Sequence, residues 1–88
     1  MTATIEISMY PLREDYEKQI LAFLALLHQE AELEIRVNAM STQVKGDFDL
    51  VFETLKNATK EVYKNGVKAS FVIKVLKGDL DLGYSYDA

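Results

Sequence analysis

The sequence has no cysteine and only one histidine. Without cysteine there is no disulfide framework, no thiolate metal ligand and no thiol nucleophile, which is compatible with a cytoplasmic protein. A Ser–His catalytic pair or a zinc site has few candidate side chains, because His28 is the single histidine and falls near the end of an expected helix. We therefore expect no metal and no catalytic cofactor. The protein is expected not to be an enzyme.

Long apolar runs and blocks of positive charge are also missing. Fourteen acidic residues outnumber ten basic ones, for a net charge of −4, and the lysines are scattered singly, so we expect no nucleic-acid partner. The longest apolar run, ILAFLALL at residues 20–27, is far short of the roughly 20 residues that cross a bilayer, so no membrane span is expected. The first ten residues lack the features of a signal peptide, which again favours the cytoplasm.

The proportions of apolar and charged residues are those of one folded domain. Apolar residues make up 49% and charged residues 27% of the 88 residues, as in soluble globular proteins. The length suits a single core, so we expect one domain over residues 1–88. The closing segment, KGDLDLGYSYDA at residues 77–88, is rich in Gly and Asp. We expect it to be a flexible tail that becomes ordered only when something binds it.

Hydrophobic periodicity predicts a strand and a helix in the first third of the chain. TIEISMY at residues 4–10 alternates apolar and polar side chains, as a half-buried strand does, and Pro11 ends it. From about residue 14 to residue 30 the apolar residues recur at helical intervals, with acidic residues in the first turn. Leu21 and Leu26 widen the apolar stripe of this helix beyond what one sheet face needs, which indicates either a broad core contact or a partner surface.

Two further strands, a helix and a last strand follow. ELEIRVNAM at residues 32–40 alternates again, and STQVKGD at residues 41–47 predicts a short polar strand at a sheet edge, closed by Gly46. A second helix is expected from about residue 47 to residue 65, stopped by an Asn-Gly pair. VKASFVIKVL at residues 67–76 gives the final alternating strand.

The predicted order β-α-β-β-α-β is that of a ferredoxin-like split βαβ fold. Two right-handed βαβ crossovers joined by a hairpin give an α+β domain with a four-stranded antiparallel sheet and both helices on one face. The opposite face of the sheet carries a mixture of polar, apolar and charged side chains. We expect a second subunit or a ligand to cover such a face.

The stretch VNAMSTQVKGDFDLVF at residues 37–52 contains a cluster of uncharged polar side chains. These are Asn38, Ser41, Thr42 and Gln43. Their amide and hydroxyl groups both donate and accept hydrogen bonds, which suits a small heteroaromatic ring with a mixed edge. Tyr10 and Met40 offer surfaces on which such a ring could stack. The alternative is a polar edge strand followed by a helix capped by Asp47.

Two segments carry a resemblance to a known family. ISMYPL at residues 7–12 and VNAMSTQVKGDFDLVFETL at residues 37–55 resemble the YKOF-related family of thiamine- and hydroxymethylpyrimidine-binding proteins. The resemblance implies binding of thiamine or its hydroxymethylpyrimidine moiety, for uptake or handling, without catalysis. Known members carry two such units in one chain, so the resemblance also implies a homodimer or homotetramer of this single-unit chain.

The resemblance implies a set of ligand-binding positions. They are Ser8, Tyr10, Asn38, Met40, Ser41, Thr42 and Asp47, and the polar cluster adds Gln43. Tyr10 would attract the thiazolium cation through its ring face, and Asp47 would offset the same charge. The acids around Phe48 argue against a pyrophosphate ligand. Two other functions stay open: an oligomeric regulatory or protein-interaction domain without a small ligand, and a small enzyme of the dimeric-barrel type.

Overall fold

The computed structural model describes residues 1–86, so the last two residues of the expected tail lie outside it. Four strands and two helices follow one another as β1 (Thr2–Pro11), α1 (Tyr16–His28), β2 (Glu34–Val37), β3 (Thr42–Asp47), α2 (Phe48–Lys64) and β4 (Ala69–Lys77). This is the predicted order. The α+β ferredoxin-like fold is confirmed, with one antiparallel sheet packed against two helices.

The four strands are arranged in the order β2-β3-β1-β4. The long β1 lies in the centre and pairs antiparallel with both β3 and β4. The prediction that β3 is an edge strand is wrong, because β3 lies between β2 and β1. Its polar appearance comes from Gln43 and Lys45, which point away from the helices, whereas Thr42 and Val44 are buried. A strand with one solvated face looks polar wherever it lies in an antiparallel sheet.

The strand β2 is shorter than the periodicity predicted. It ends at Val37, and the next four residues form the turn that leads into β3. The side-chain oxygen of Asn38 accepts hydrogen bonds from the backbone N–H groups of Met40 and Ser41, each at 2.9 Å. This local bonding competes with strand pairing and reverses the chain early. The prediction that the strand extends to residue 40 is therefore wrong, and Asn38 and Met40 belong to the turn.

One hydrophobic core fills the space between the sheet and the helices. Ile5, Ile7, Met9 and Val44 come from the strands, Phe23 and Leu27 from α1, and Val51, Leu55, Ala58 and Val62 from α2. The predicted alternation along β1 and the predicted inward face of α1 are confirmed by this burial. The ring of Phe23 also contacts the ring of Phe71 of β4, with 5.1 Å between the ring centroids and a tilt of 50°.

The helix ends follow their local sequence. The Asp47 carboxylate accepts from the backbone N–H of Leu50 at 3.1 Å, which caps α2 as expected of an Asp at this position. The helix ends at Lys64 with Asn65 as its C-cap, and Gly66 follows with a φ of +77°, a conformation that glycine adopts without strain. Neither helix within residues 1–86 is long and apolar enough to cross a membrane.

The edge strand β4 leaves apolar side chains exposed on both of its faces. Val72 and Leu76 lie on the face away from the helices, and Ile73 and Val75 on the helix side, each between 42% and 58% exposed. The side chains on the helix side of this strand remain exposed because α1 and α2 pack over β1 and β3. The alternation predicted for β4 is therefore present, but of its four inward apolar side chains only Ala69 and Phe71 pack against the core.

The chain after β4 folds back over the open face of the sheet. The Lys45 ammonium lies 2.9 Å from the Asp79 carboxylate and donates at 2.6 Å to the Leu80 carbonyl. The Thr4 hydroxyl donates to the Gly78 carbonyl at 2.8 Å, so Thr4 is buried although it points away from the helices. We call residues 78–82 the C-terminal strap. The expectation that this segment is ordered only by a ligand stays a prediction.

Candidate functional site

A cleft of about 160 Å³ opens at one end of the sheet, between α1, the end of β1 and the turn that joins β2 to β3. Its walls come from residues 7–10 of β1, from residues 37–42, and from Ile20, Phe23 and Leu24 of α1. The helix supplies an apolar floor, and the turn supplies an uncharged polar rim. The site therefore combines one face for stacking with several groups for hydrogen bonding.

The cleft exists because β1 is longer than the strand beside it. Pairing of β1 with β3 stops at Ile7 and Thr42, while β1 continues to Pro11. Backbone bonds alternate along an antiparallel strand: the Thr2 carbonyl bonds toward β4 and the Met1 carbonyl toward β3. Because the direction alternates from one residue to the next, the N–H and C=O of Met9 point to the same side of β1 as the Met1 carbonyl. At Met9, β3 no longer lies on that side. Within residues 1–86, β3 provides no register partner for them.

The polar rim is held in place by the turn itself. Asn38 binds two backbone N–H groups through its side-chain oxygen, and its own N–H donates to the Ser41 carbonyl at 3.0 Å. The acceptor of the Asn38 side chain is therefore committed to the turn. Its side-chain NH₂ remains the group that Asn38 can offer to a bound molecule.

Ser41 is linked to two side chains on the open face of the sheet. Its hydroxyl donates to the Glu6 carboxylate at 2.9 Å and accepts from the Gln43 side-chain NH₂ at 2.9 Å. The Lys74 ammonium lies 3.4 Å from the same carboxylate. The Ser41 hydroxyl, and after it the Lys74 charge, lower the pKa of the Glu6 carboxyl. An ionised carboxylate thus stands directly behind the rim of the cleft.

Six of the eight predicted site residues meet at this cleft. They are Ser8, Tyr10, Asn38, Met40, Ser41 and Thr42. Met40 and Tyr10 are 86% and 55% exposed, so both are accessible to a stacked ring, as the hypothesis requires.

The other two predicted residues lie elsewhere. Gln43 reaches the cleft only through its bond to Ser41, and it lines a second cavity of about 200 Å³ under the C-terminal strap. Asp47 pairs with Thr2 at the far end of β1. It lies five residues along β3 from Thr42, or roughly 16 Å at the usual rise of a strand. Asp47 caps α2 and does not belong to the cleft.

Several residues of the cleft were not predicted from the sequence. Met9 of β1 and Ile20, Phe23 and Leu24 of α1 line the cleft, and Glu6 lies behind it, bonded to Ser41. No signal was available for the open edge at Met9, because the two strands are predicted with equal lengths, residues 4–10 and 41–47, and only their register makes β1 extend beyond β3. An overhang of that kind leaves a strand edge open.

Metal binding has no support in the described part of the chain. No three His, Cys, Asp or Glu side chains among residues 1–86 come together as a metal would need. His28 is exposed at the end of α1, and its Nδ1 lies 2.8 Å from the Leu24 carbonyl of the preceding turn. This is the helix-end position that the sequence predicted.

The model of the thiamine-binding protein family matches residues 5–79 of this chain. The chain belongs to the thiamine-binding protein family. The matched range contains most of β1, the turn at residues 38–41 and all of β4, so every wall of the cleft lies inside it. The resemblance recognised in the sequence is thereby confirmed.

Solved structures share this fold at low sequence identity. Protein SP2199 from Streptococcus pneumoniae matches with a TM-score of 0.79 at 26% identity, over 91% of this chain and 90% of that one. A candidate thiamine biosynthesis/salvage protein from Thermotoga maritima, TM0486, matches with a TM-score of 0.73 at 16% identity, over 93% and 91%. A domain of unknown function, DUF77, from Bacillus cereus gives 0.73 at 20% identity, over 89% and 77%. No curated protein matches the chain.

Proposed function

We propose that this chain is a non-catalytic binding protein for thiamine or its hydroxymethylpyrimidine moiety, serving uptake or handling of the vitamin in the cytoplasm. The observation that carries the proposal is the cleft between α1 and the turn at residues 38–41, which lies wholly within the range matched by the family. Family membership favours a binding role over catalysis. We expect no further cofactor.

The size of the cleft favours the pyrimidine as the inserted part. Its volume of about 160 Å³ is below the roughly 300–1,000 Å³ of pockets that enclose a whole drug-sized ligand. One six-membered ring with small substituents suits it, lying against Phe23 and Leu24. The thiazolium of thiamine would then lie at the mouth, where the exposed ring of Tyr10 attracts a cation.

The open edge of β1 supports an aminopyrimidine in particular. One residue in a strand presents its N–H and C=O side by side, and those of Met9 face the cleft. An aminopyrimidine carries a ring nitrogen that accepts and a neighbouring amino group that donates. These two groups complement the backbone of a strand edge, as a neighbouring strand would.

The acids around Phe48, Asp47 and Asp49, were predicted to repel a pyrophosphate, but they lie at the start of α2, at the opposite end of the sheet from the cleft. Glu6 is instead the carboxylate bonded to a cleft residue. Repulsion of a phosphate would have to come from Glu6, so the pyrophosphate must be tested beside thiamine.

The proposal is tested by thermal unfolding with thiamine, thiamine pyrophosphate and hydroxymethylpyrimidine in parallel. A ligand present at 100 times its dissociation constant stabilises the native state by about 2.7 kcal/mol, so binding raises the melting temperature. We expect a rise with thiamine and with the pyrimidine. No rise with any of the three at millimolar concentration, together with no heat in calorimetry, would reject the proposed function.

A second candidate is favoured by the exposed apolar side chains of β4. Val72, Ile73, Val75 and Leu76 lie at an unpaired sheet edge, and such edges pair with other chains. In this alternative the chain is an oligomeric regulatory or protein-interaction domain. It predicts that Ile73→Lys changes the association state and that none of the three ligands binds to the wild type.

A further inference from the structure

The hydrogen bonds of Ser41 leave its hydroxyl oxygen with one unused lone pair. A serine hydroxyl has one donor and two acceptor positions. The donor is directed to Glu6, and one acceptor position is taken by the Gln43 side-chain NH₂. The remaining lone pair is what Ser41, as a lining residue of the cleft, can offer to a ligand. It can accept a hydrogen bond but not donate one.

Glu6 and Gln43 determine which atom donates in each hydrogen bond of Ser41. An ionised carboxylate such as Glu6 can only accept, so the hydrogen between it and Ser41 must come from the hydroxyl. With that hydrogen committed, the Gln43 amide must present its NH₂ and not its oxygen to Ser41. The Lys74 ammonium, 3.4 Å from Glu6, favours the ionised carboxylate. Glu6 and Gln43 are directly paired across β1 and β3, so the strand register itself holds the arrangement.

We propose that Ser41 is a dedicated hydrogen-bond acceptor, oriented by Glu6 as a positioning residue, and that it makes the cleft select 4-aminopyrimidines over 4-oxopyrimidines. This inference rests on the proposed function and adds the specificity of the same site. A 4-amino group donates to the free lone pair. A 4-oxo group presents a second acceptor to it, and Ser41 can respond only by withdrawing its hydrogen from Glu6, which leaves a carboxylate lone pair without its partner.

The experiment combines substitutions in the protein with a change of the group at position 4 of the pyrimidine. Calorimetry measures binding of 4-amino-5-hydroxymethyl-2-methylpyrimidine and of its 4-oxo counterpart to the wild type, Ser41→Ala and Glu6→Gln. The matched control is Glu34→Gln, which makes the same chemical change on the same sheet face, where the carboxylate contacts Arg36 and Lys45 and not Ser41. The quantity compared is the ratio of the two dissociation constants, which a general loss of stability does not move.

We expect the wild type and Glu34→Gln to prefer the amino compound by at least about tenfold, the scale of a coupling between groups in contact. In Ser41→Ala the ratio falls to within about threefold, because the acceptor is gone. In Glu6→Gln it falls as well, since a glutamine side chain can donate to Ser41 and free its hydroxyl hydrogen for the ligand.

The failure of this inference differs from the failure of the proposed function. Binding of the amino compound with the same ratio in the wild type, Ser41→Ala and Glu6→Gln would overturn the role of Ser41 and leave the proposed function standing. An equal fall in Glu34→Gln would show a general effect of surface charge and would also overturn it. No binding of either pyrimidine to the wild type would reject both proposals.

Discussion

Thr42 is a single residue that serves both the core and the cleft. It is the first residue of β3, is 7% exposed, and lines the cleft opposite the end of β1. Thr42→Val keeps the shape of the side chain and removes its hydroxyl. We expect thiamine binding to weaken by about tenfold if this hydroxyl meets the ligand, because the ligand group loses its partner. The melting temperature without ligand should change little. Unchanged binding would place Thr42 in the core alone.

Asp47 lies at the other end of β3, away from the cleft. Its carboxylate caps α2 through the Leu50 N–H, so Asp47→Ala should lower the free energy of unfolding by about 0.5–2 kcal/mol. Asp47→Asn, which retains a capping oxygen, should restore most of that loss. Both variants should bind thiamine as the wild type does, in titrations below their melting temperatures. Weaker binding in a fully folded Asp47→Ala would show that Asp47 contributes to thiamine binding.

Glu6 makes stability depend on pH in the acid range. The Ser41 hydroxyl lowers the pKa of the Glu6 carboxyl below its ordinary value of 4.5. A carboxyl with a lower pKa in the folded state stabilises the fold above its unfolded pKa, and this contribution disappears as the pH falls through the folded pKa. Urea unfolding at several pH values should therefore show a steeper fall below about pH 5 in the wild type than in Ser41→Ala.

The comparison with Ser41→Ala isolates this one carboxyl. The Gln19 amide similarly lowers the pKa of Asp15, but Asp15 lies at the start of α1 and contributes equally to both proteins. Identical pH slopes in the wild type and Ser41→Ala would mean that the Ser41–Glu6 hydrogen bond does not form in solution.

The side chain of Lys45 contacts the C-terminal strap at two points. Lys45 bonds to Asp79 and to the Leu80 carbonyl, and it also lies 3.3 Å from Glu34. The hydrogen bond to Asp79, and after it the one to Glu34, raises the pKa of Lys45. Lys45 therefore stays charged at neutral pH, and its contribution is lost only as the pH rises above its ordinary value of 10.5.

Replacing Lys45 should release the strap. In Lys45→Met we expect backbone amides of residues 78–82 to exchange with solvent at least about tenfold faster, since fewer bonds must break for local opening. Lys77→Met removes the same charge from an exposed position on β4 and is the control. Hydrogen exchange followed by mass spectrometry measures the difference. Equally fast exchange in the wild type would instead favour the flexible tail that composition predicted.

Within the described residues 1–86, copies of the chain could associate through either of two apolar surfaces. One is the edge strand β4, where Ile73 is 42% exposed, and the other is the outer side of α1, where Leu21 is 61% exposed. We expect a homodimer or homotetramer through β4, because an unpaired strand edge adds backbone hydrogen bonds to apolar contact. Sedimentation of Ile73→Lys should then show monomers, whereas Leu21→Lys should keep the wild-type mass. The opposite result would assign association to α1.

The sequence by itself determined the elements and their order. Alternation along β1, the helical spacing in α1 and the cap at Asp47 depend on neighbours within a few residues, so local patterns predict them. The same patterns identified most of the polar rim, because Asn38, Ser41 and Thr42 follow one another in the chain. They also supplied the motifs on which the family could be recognised.

Only the tertiary structure decided where β3 lies in the sheet and which residues meet at the cleft. Strand pairing joins positions far apart in the chain, and the register decides that Ser41 reaches Glu6 while Asp47 lies at the opposite end of β1. The cleft itself depends on the difference between the lengths of two paired strands. Such a difference arises only when the strands are side by side, because local periodicity carries no information about which strand edge remains unpaired.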